Sequence, residues 1–251
     1  MRISIFPDEC ALSRDLANLV ARSLTDDPTL VLGLPTGRTP VLLYRELTQL
    51  AAAGRADFGR ATTFNLDEFL GQDPSKPGTY REFMEQHLFR HVNLDPRRIH
   101  FLNGSAADIE AECARYEAAI RAAGGIGLQI LGIGSNGHVG FNEPGPTLEA
   151  HTHRVVLRPE TIRANASLFD GDADRVPAEA LSMGMATILQ ARRIVLVATG
   201  RGKADCVRQM IEGPLTTTLP ASFLQVHRDV LVMLDEAAAS ELRSVRLRSE
   251  G

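Results

Sequence analysis

Short apolar runs alternate with longer amphipathic stretches along most of the chain. Ile3–Phe6 is followed by an amphipathic stretch from about Asp8 to Leu24, and Leu30–Leu34 by one that reaches about Ala53. The short runs read as strands and the longer ones, with their helical spacing of apolar positions, as helices. Thr39 and Pro40 predict the start of the second helix, Thr39 as its N-cap and Pro40 at the first helical position. Ala61–Phe64 and Ile99–Leu102 predict two further strands, and residues from about Ala106 to Ala122 another helix. Gly127–Ile133, apolar and ended by glycine, predicts a buried central strand, as do Ile194–Ala198 and Val230–Leu234. Strand–helix alternation of this kind predicts an α/β fold around a mostly parallel sheet, with residues 1–251 forming a single domain.

Ligands of such sheets bind beyond the carboxyl ends of the strands. The residues least suited to a core collect there, after Leu34, Phe64, Ile133 and Ala198. Gly33-Leu-Pro-Thr-Gly-Arg-Thr-Pro40 joins a strand to a helix: Gly37 lets backbone approach an anion, and Thr36 and Thr39 add hydroxyl donors. An ordinary strand–helix turn is the alternative. Asn65-Leu-Asp-Glu-Phe-Leu-Gly71 delivers two adjacent carboxylates, Asp67 and Glu68. Neighbours on an extended segment face opposite ways, so only one is expected to enter a site and act on a proton; a helix-capping or solvated pair is the competing reading. Gly132-Ile-Gly-Ser-Asn-Gly-His-Val-Gly-Phe-Asn-Glu-Pro-Gly145 is the most specific segment. Its glycines bring backbone close to a ligand, His138 can take and return a proton near neutral pH, and Glu143 can orient it if the loop folds back. Thr199-Gly-Arg-Gly-Lys203 opens another helix, where Lys203 could meet a phosphate or simply face solvent.

Composition removes several function classes. A net charge of −4 over 251 residues gives no basic stripe for nucleic acid. No apolar run approaches the ~20 residues that span a bilayer, and Met1–Pro7 is too short in its apolar part for a signal peptide. Cys10, Cys113 and Cys206 lie far apart, all within helical patterns, and are expected to be small buried or half-buried thiols. A cytoplasmic location follows as the expectation. The remaining histidines are expected to offer neither an HxxxH nor an HExxH arrangement, and no metal is expected.

Taken together, LGLPTGRTP, NLDEFLG, GIGSNGHVGFNEPG, VPAEALSMGMATIL and VATGRGK resemble, in order and over nearly the whole chain, the glucosamine-6-phosphate deaminase/isomerase family, which shares a superfamily with the 6-phosphogluconolactonases. The resemblance implies a modified Rossmann-like sheet and a mechanism without metal or cofactor acting on a sugar phosphate, and it allows a homo-oligomer. His138, supported by Glu143, would open the pyranose ring. Asp67 would then move a proton between C2 and C1, and ammonia would leave to give fructose 6-phosphate. Thr36, Gly37, Thr39 and Lys203 match the family's phosphate contacts. The VPAEALSMGMATIL segment is expected to be helical. Asn136 stands where many members carry aspartate and is expected to orient the histidine by accepting a hydrogen bond. Ser167 stands where the family usually has a phosphate-binding arginine; Arg38, in the phosphate loop, and Arg163 are the candidates to replace it. Galactosamine-6-phosphate isomerase, 6-phosphogluconolactonase and a sugar-phosphate sensor domain are the rival readings, and Glu143 after His138 counts against the lactonase.

Overall fold

Parallel partners cannot be joined by a tight turn, so each strand pair of such a sheet needs a crossover, and helices supply most of them here. The computed structural model describes residues 1–72 and 78–243. Its strands are β1 (Arg2–Phe6), β2 (Val31–Leu34), β3 (Thr62–Asn65), β4 (Asp67–Phe69), β5 (Ile99–His100), β6 (Leu128–Leu131), β7 (His153–Val156), β8 (Glu179–Ser182), β9 (Arg193–Ala198) and β10 (Val230–Asp235). The α-helices are α1 (Glu9–Asp26), α2 (Val41–Ala52), α3 (Tyr80–His87), α4 (Ile109–Ala122), α5 (Pro159–Asn165), α6 (Met185–Leu189), α7 (Ala204–Glu212) and α8 (Glu236–Ala239). Seven strands form one sheet in the order β1-β10-β9-β6-β2-β3-β5, every pair parallel.

Both faces of this sheet are covered, which is why its central strands are apolar without alternation. Leu32, Ile130, Val195 and Val197 pack under α1 and α2 with Leu16, Val20, Tyr44 and Leu47. Val31, Leu131, Leu196 and Val232 pack on the other face with Tyr116, Ile120, Val207 and Met210 from α4 and α7. Gln129 breaks the apolar run of β6 yet is fully buried, its Nε2 donating to the Ile130 carbonyl. Gly33 on neighbouring β2 makes room for it, since a Cβ there would stand 2.1 Å from Gln129 Oε1. That glycine serves packing rather than a ligand.

Apart from β1, which pairs with β10 at one edge, chain order runs outward in both directions from the β2–β6 pair: β3 and β5 lie to one side, β9 and β10 to the other. This reversal opens a crevice at the carboxyl ends of β2 and β6, the place where such sheets bind ligands. A second, antiparallel sheet, β4-β8-β7, lies beside it. Pairing of Glu179–Ser182 with both β4 and β7 makes that segment a strand, so the expected VPAEALSMGMATIL helix is confined to Met185–Leu189. Helix α2 also begins later than expected. Pro40 is its N-cap, in a helical backbone conformation, and no side chain caps it; Thr39 lies outside the helix. Cys113 and Cys206 are buried, whereas Cys10 is exposed on α1 and departs from the buried expectation.

Candidate active site

The crevice is a cavity of about 760 Å³ whose wall combines the loops after β2 and β6, the start of β4, helix α5 and the start of α7. Thr36, Gly37, Arg38, Thr39, Asp67, Asn136, His138 and Lys203, separated by up to 167 positions in sequence (203 − 36), all line it. Gly37 has φ +94, a backbone conformation that favours glycine. The loop after β2 is fixed from below by the Tyr44 hydroxyl of α2, which donates to the Pro35 carbonyl. Arg38 is exposed at the rim. Arg163 is also exposed, lies 3.6 Å from Glu160 in an ion pair, and is not part of the cavity wall; neither is Ser167.

The chain leaves the large sheet at Asn65 and enters the small one at Asp67, turning at Leu66, whose carbonyl accepts from Met183 N–H at 2.7 Å. This change of sheet separates the two acidic neighbours. Asp67 faces the cavity and is 6% exposed; the one hydrogen bond its side chain makes among the described residues is a long one, 3.4 Å from the Thr36 hydroxyl. Burial, reinforced by the charge of Glu68 and opposed by Thr36, pushes its carboxyl up to about 8. Glu68 turns away and accepts from the N–H groups of Phe69 (2.9 Å), Tyr80 (3.0 Å) and Arg81 (2.9 Å), closing the first turn of α3. One carboxylate faces the site and the other caps a helix.

After β6 the loop folds back on itself through hydrogen bonds from Gly134 N–H to the His138 carbonyl and from Gly137 N–H to the Gly134 carbonyl. The imidazole occupies the space left by Gly134, where a Cβ would lie 2.4–2.5 Å from ring atoms. Its Nδ1 stands 3.6 Å from Glu143 Oε2, an ion-pair distance, and has no hydrogen-bond partner among the described residues. Asn136 differs from expectation: its Oδ1 accepts from the His138 backbone N–H at 3.2 Å, not from the ring, while its Nδ2 donates to Glu143 Oε2 at 3.0 Å. The amide therefore holds the loop and the carboxylate together. Thr161, from α5, donates to Glu143 Oε1. Burial raises the Glu143 carboxyl, but His138, Thr161 and Asn136 outweigh it and bring it down to about 2. Glu143 is thus an oriented, ionised neighbour for an imidazolium.

Lys203 ends the turn after β9 and donates to the Ile133 carbonyl at 2.7 Å; burial pushes its ammonium down from the ordinary lysine value. Two polar groups of the wall had no signal in spacing. Thr161 lies 18 residues from the carboxylate it holds. Tyr80, whose hydroxyl donates to Asn165 Oδ1 at 2.8 Å, bridges α3 and α5 across the cavity. Contrary to the expectation of no HxxxH spacing, His87 and His91 stand four apart, but His91 Nε2 is engaged with the Gln86 carbonyl. Among the described residues no three His, Cys, Asp or Glu side chains are grouped to hold a metal, and no helix is long and apolar enough to cross a membrane.

The arrangement offers a buried carboxylate, a histidine–carboxylate pair and a cationic, hydroxyl-rich rim around one cavity. That set can shift a proton between adjacent carbons of a small anionic substrate while a second proton moves at an oxygen. The family of glucosamine-6-phosphate isomerases and 6-phosphogluconolactonases matches the chain over residues 8–233. The chain is 48% identical to a glucosamine-6-phosphate deaminase of Halothermothrix orenii over 242 residues, covering 96% of this chain and 100% of the relative. It is equally similar, 48% over 240 residues and 95% of each chain, to glucosamine-6-phosphate deaminase 2 of Bacillus subtilis. Among solved structures, one of a monomeric glucosamine-6-phosphate deaminase superposes with a TM-score of 0.93 at 41% identity, covering 96% of this chain and 100% of the other. A 6-phosphogluconolactonase from Thermotoga maritima, at 18% identity, a TM-score of 0.73 and coverage of 93% and 99%, shares the fold alone. From the sequence motifs, the sheet and these full-length matches, the chain belongs to the glucosamine-6-phosphate isomerase and 6-phosphogluconolactonase family.

Proposed function

We propose that this chain is a glucosamine-6-phosphate deaminase, converting glucosamine 6-phosphate and water to fructose 6-phosphate and ammonia. The observation that carries the reading is the meeting of Asp67 and His138 in the wall of one cavity, with Glu143 behind the wall 3.6 Å from the imidazole, in a chain whose full-length relatives at 43–48% identity bear that name. The substrate phosphate sits against Thr36, Gly37, Thr39 and Lys203, with Arg38 supplying the cation that Ser167 does not. His138 takes the O1 proton of the pyranose and returns it to O5, opening the ring, while Glu143 stabilises the transient imidazolium. Asp67 removes the C2 proton and delivers it to C1. Water then adds at C2 and ammonia departs. Holding the base close to C2, on a side chain only 6% exposed, supplies the positioning that a weakly acidic C–H requires.

All these groups come from one chain and one domain, so the chemistry needs no residue from a second copy. The reaction draws on sugar phosphates, metabolites of the cytoplasm, and we place it there. Ammonia release should be measured side by side on glucosamine 6-phosphate, galactosamine 6-phosphate and, as lactone hydrolysis, 6-phosphogluconolactone. The glucosamine ester is expected to react fastest by a wide margin. Faster release from the galactosamine ester would transfer the reading to its epimer, and hydrolysis of the lactone without ammonia release would end it.

A further inference from the structure

Asp67 and Glu68 are consecutive, 6% and 3% exposed, and no cation within ion-pair distance joins Asp67 among the described residues. Their surroundings differ sharply. The N–H groups of Tyr80 and Arg81 at the start of α3, with that of Phe69 on β4, fix both oxygens of Glu68, and such donors stabilise an anion. Asp67 has one hydroxyl at 3.4 Å. The titratable groups around Asp67 are Glu68 on its own strand, the buried phenols of Tyr44, Tyr80 and Tyr116 from α2, α3 and α4, and His138 and Lys203 on the cavity wall. Lys203 is turned to the Ile133 carbonyl. Two neighbouring buried carboxyls do not ionise together at little cost, and the better-bonded one takes the charge. Burial raises both carboxyls, Asp67 to about 8 and Glu68 to about 7, the order that these hydrogen bonds dictate.

A base that holds a proton at neutral pH cannot remove one from C2. The substrate itself carries the remedy: its amino group is bonded to C2, so any base placed to reach the C2 hydrogen stands within a few ångströms of the ammonium nitrogen. We propose that burial, reinforced by the neighbouring Glu68, keeps Asp67 protonated in the free enzyme and that the substrate's 2-ammonium group ionises it, making Glu68 a specificity-determining residue that helps tie proton abstraction to an amino sugar. On binding, the Asp67 proton goes to bulk water. The resulting carboxylate then takes the C2 proton, the C–H electron pair forms the C1–C2 double bond, and the carbonyl pair moves to O1, which takes up a proton from solvent. A sugar phosphate with hydroxyl at C2 fills the same cavity without a positive charge and leaves Asp67 protonated and inert. This inference rests on the proposed function and adds to it the means of rejecting the common, uncharged hexose phosphates.

The test is proton release on binding to the intact wild-type protein, by calorimetry at pH 7 in two buffers of different ionisation enthalpy. The probes are 2-amino-2-deoxyglucitol 6-phosphate and glucitol 6-phosphate, whose phosphates contribute equally. The amino compound should release about one proton more than glucitol 6-phosphate, the fraction expected of a group still protonated at pH 7. That excess should vanish in Asp67→Asn. Equal release from the two probes, or an excess that persists in Asp67→Asn and so comes from the amine, overturns the proposal. As a kinetic arm, Glu68→Gln should move the acid limb of kcat/KM for ammonia release at least about one pH unit lower, roughly tenfold in relative rate at the acid end. A role in capping α3 alone would lower thermal stability and leave that limb in place. Wild-type protein that yields no ammonia at all refutes the function; ammonia release without the excess proton refutes only this inference.

Discussion

Replacing Asp67 by asparagine should remove activity and stabilise the fold, with a pH dependence that identifies the cause. The carboxyl is 6% exposed and its folded value lies near 8, against 3.8 for the ordinary side chain. Between those values the folded protein holds a proton that the unfolded chain has released. Unfolding therefore becomes easier as pH rises, by about 1.4 kcal/mol for each pH unit in that window. Asparagine fills the same space and does not titrate, so the variant lacks this slope; contributions from groups remote from Asp67 are common to both proteins, and only the coupled Glu68 is shifted, downward, by the loss of its neighbour's charge. From pH 5.5 to 7.5 the stability of Asp67→Asn relative to wild type should grow by about 2–3 kcal/mol and level off above about pH 8. Equilibrium urea denaturation at four or five pH values measures it. A difference that stays constant over that range would show that Asp67 is not held protonated in the folded state, and one that shrinks with pH would reverse the sign of the argument. Turnover should fall by about 10² or more, as for the loss of a positioned base.

Four further outcomes are expected. Arg38→Gly should raise the Michaelis constant about 10- to 100-fold with a smaller effect on turnover, the loss of one charge-assisted contact, whereas Arg163→Ala should change it little; the opposite ranking would assign the phosphate cation to Arg163. Thr161→Val, which removes the donor to Glu143 Oε1, should cost about 10-fold or more in kcat with KM nearly unchanged, and Thr161→Ser should restore most of it. An equal loss in both variants would point to packing of α5 instead. Gly134→Ala should displace the imidazole, because its Cβ would lie 2.4 Å from the ring, and abolish ring opening while leaving phosphate affinity intact; wild-type turnover would show that the loop yields. His138→Gln should fail on the pyranose but still act on an analogue locked in the open chain, and equal failure on both would remove His138 from the ring-opening step.

The alternation of β1, α1, β2 and α2, the buried central strands β6, β9 and β10, and the glycine-rich turns at their ends were legible from periodicity and composition. These signals are local: each depends on a handful of consecutive residues repeating at 2.0 or 3.6. The order of motifs also pointed to the family before any contact was known. The small sheet was not legible. Glu179–Ser182 has a composition that suits a helix, and only pairing with β4, 111–115 residues away in register, and with β7, 23–29 residues away, makes it a strand.

The same limit separates what was known of the site from what was not. That one of Asp67 and Glu68 faces a pocket follows from the alternation of an extended chain, but which one does depends on the sheet that β4 joins and on the N–H groups of α3 that claim Glu68. The part played by Asn136 turned on backbone geometry, because its oxygen reaches an N–H two residues on before it can reach a ring. Thr161 and Tyr80 entered the site through α5 and α3, elements that approach the cavity from distant stretches of chain. Residue type and spacing reveal which groups are able to move a proton. Which of them are desolvated, and which are held by hydrogen bonds, is decided by non-local packing, and those two conditions set whether a carboxyl in this protein is a base at about 8 or an anion at about 2.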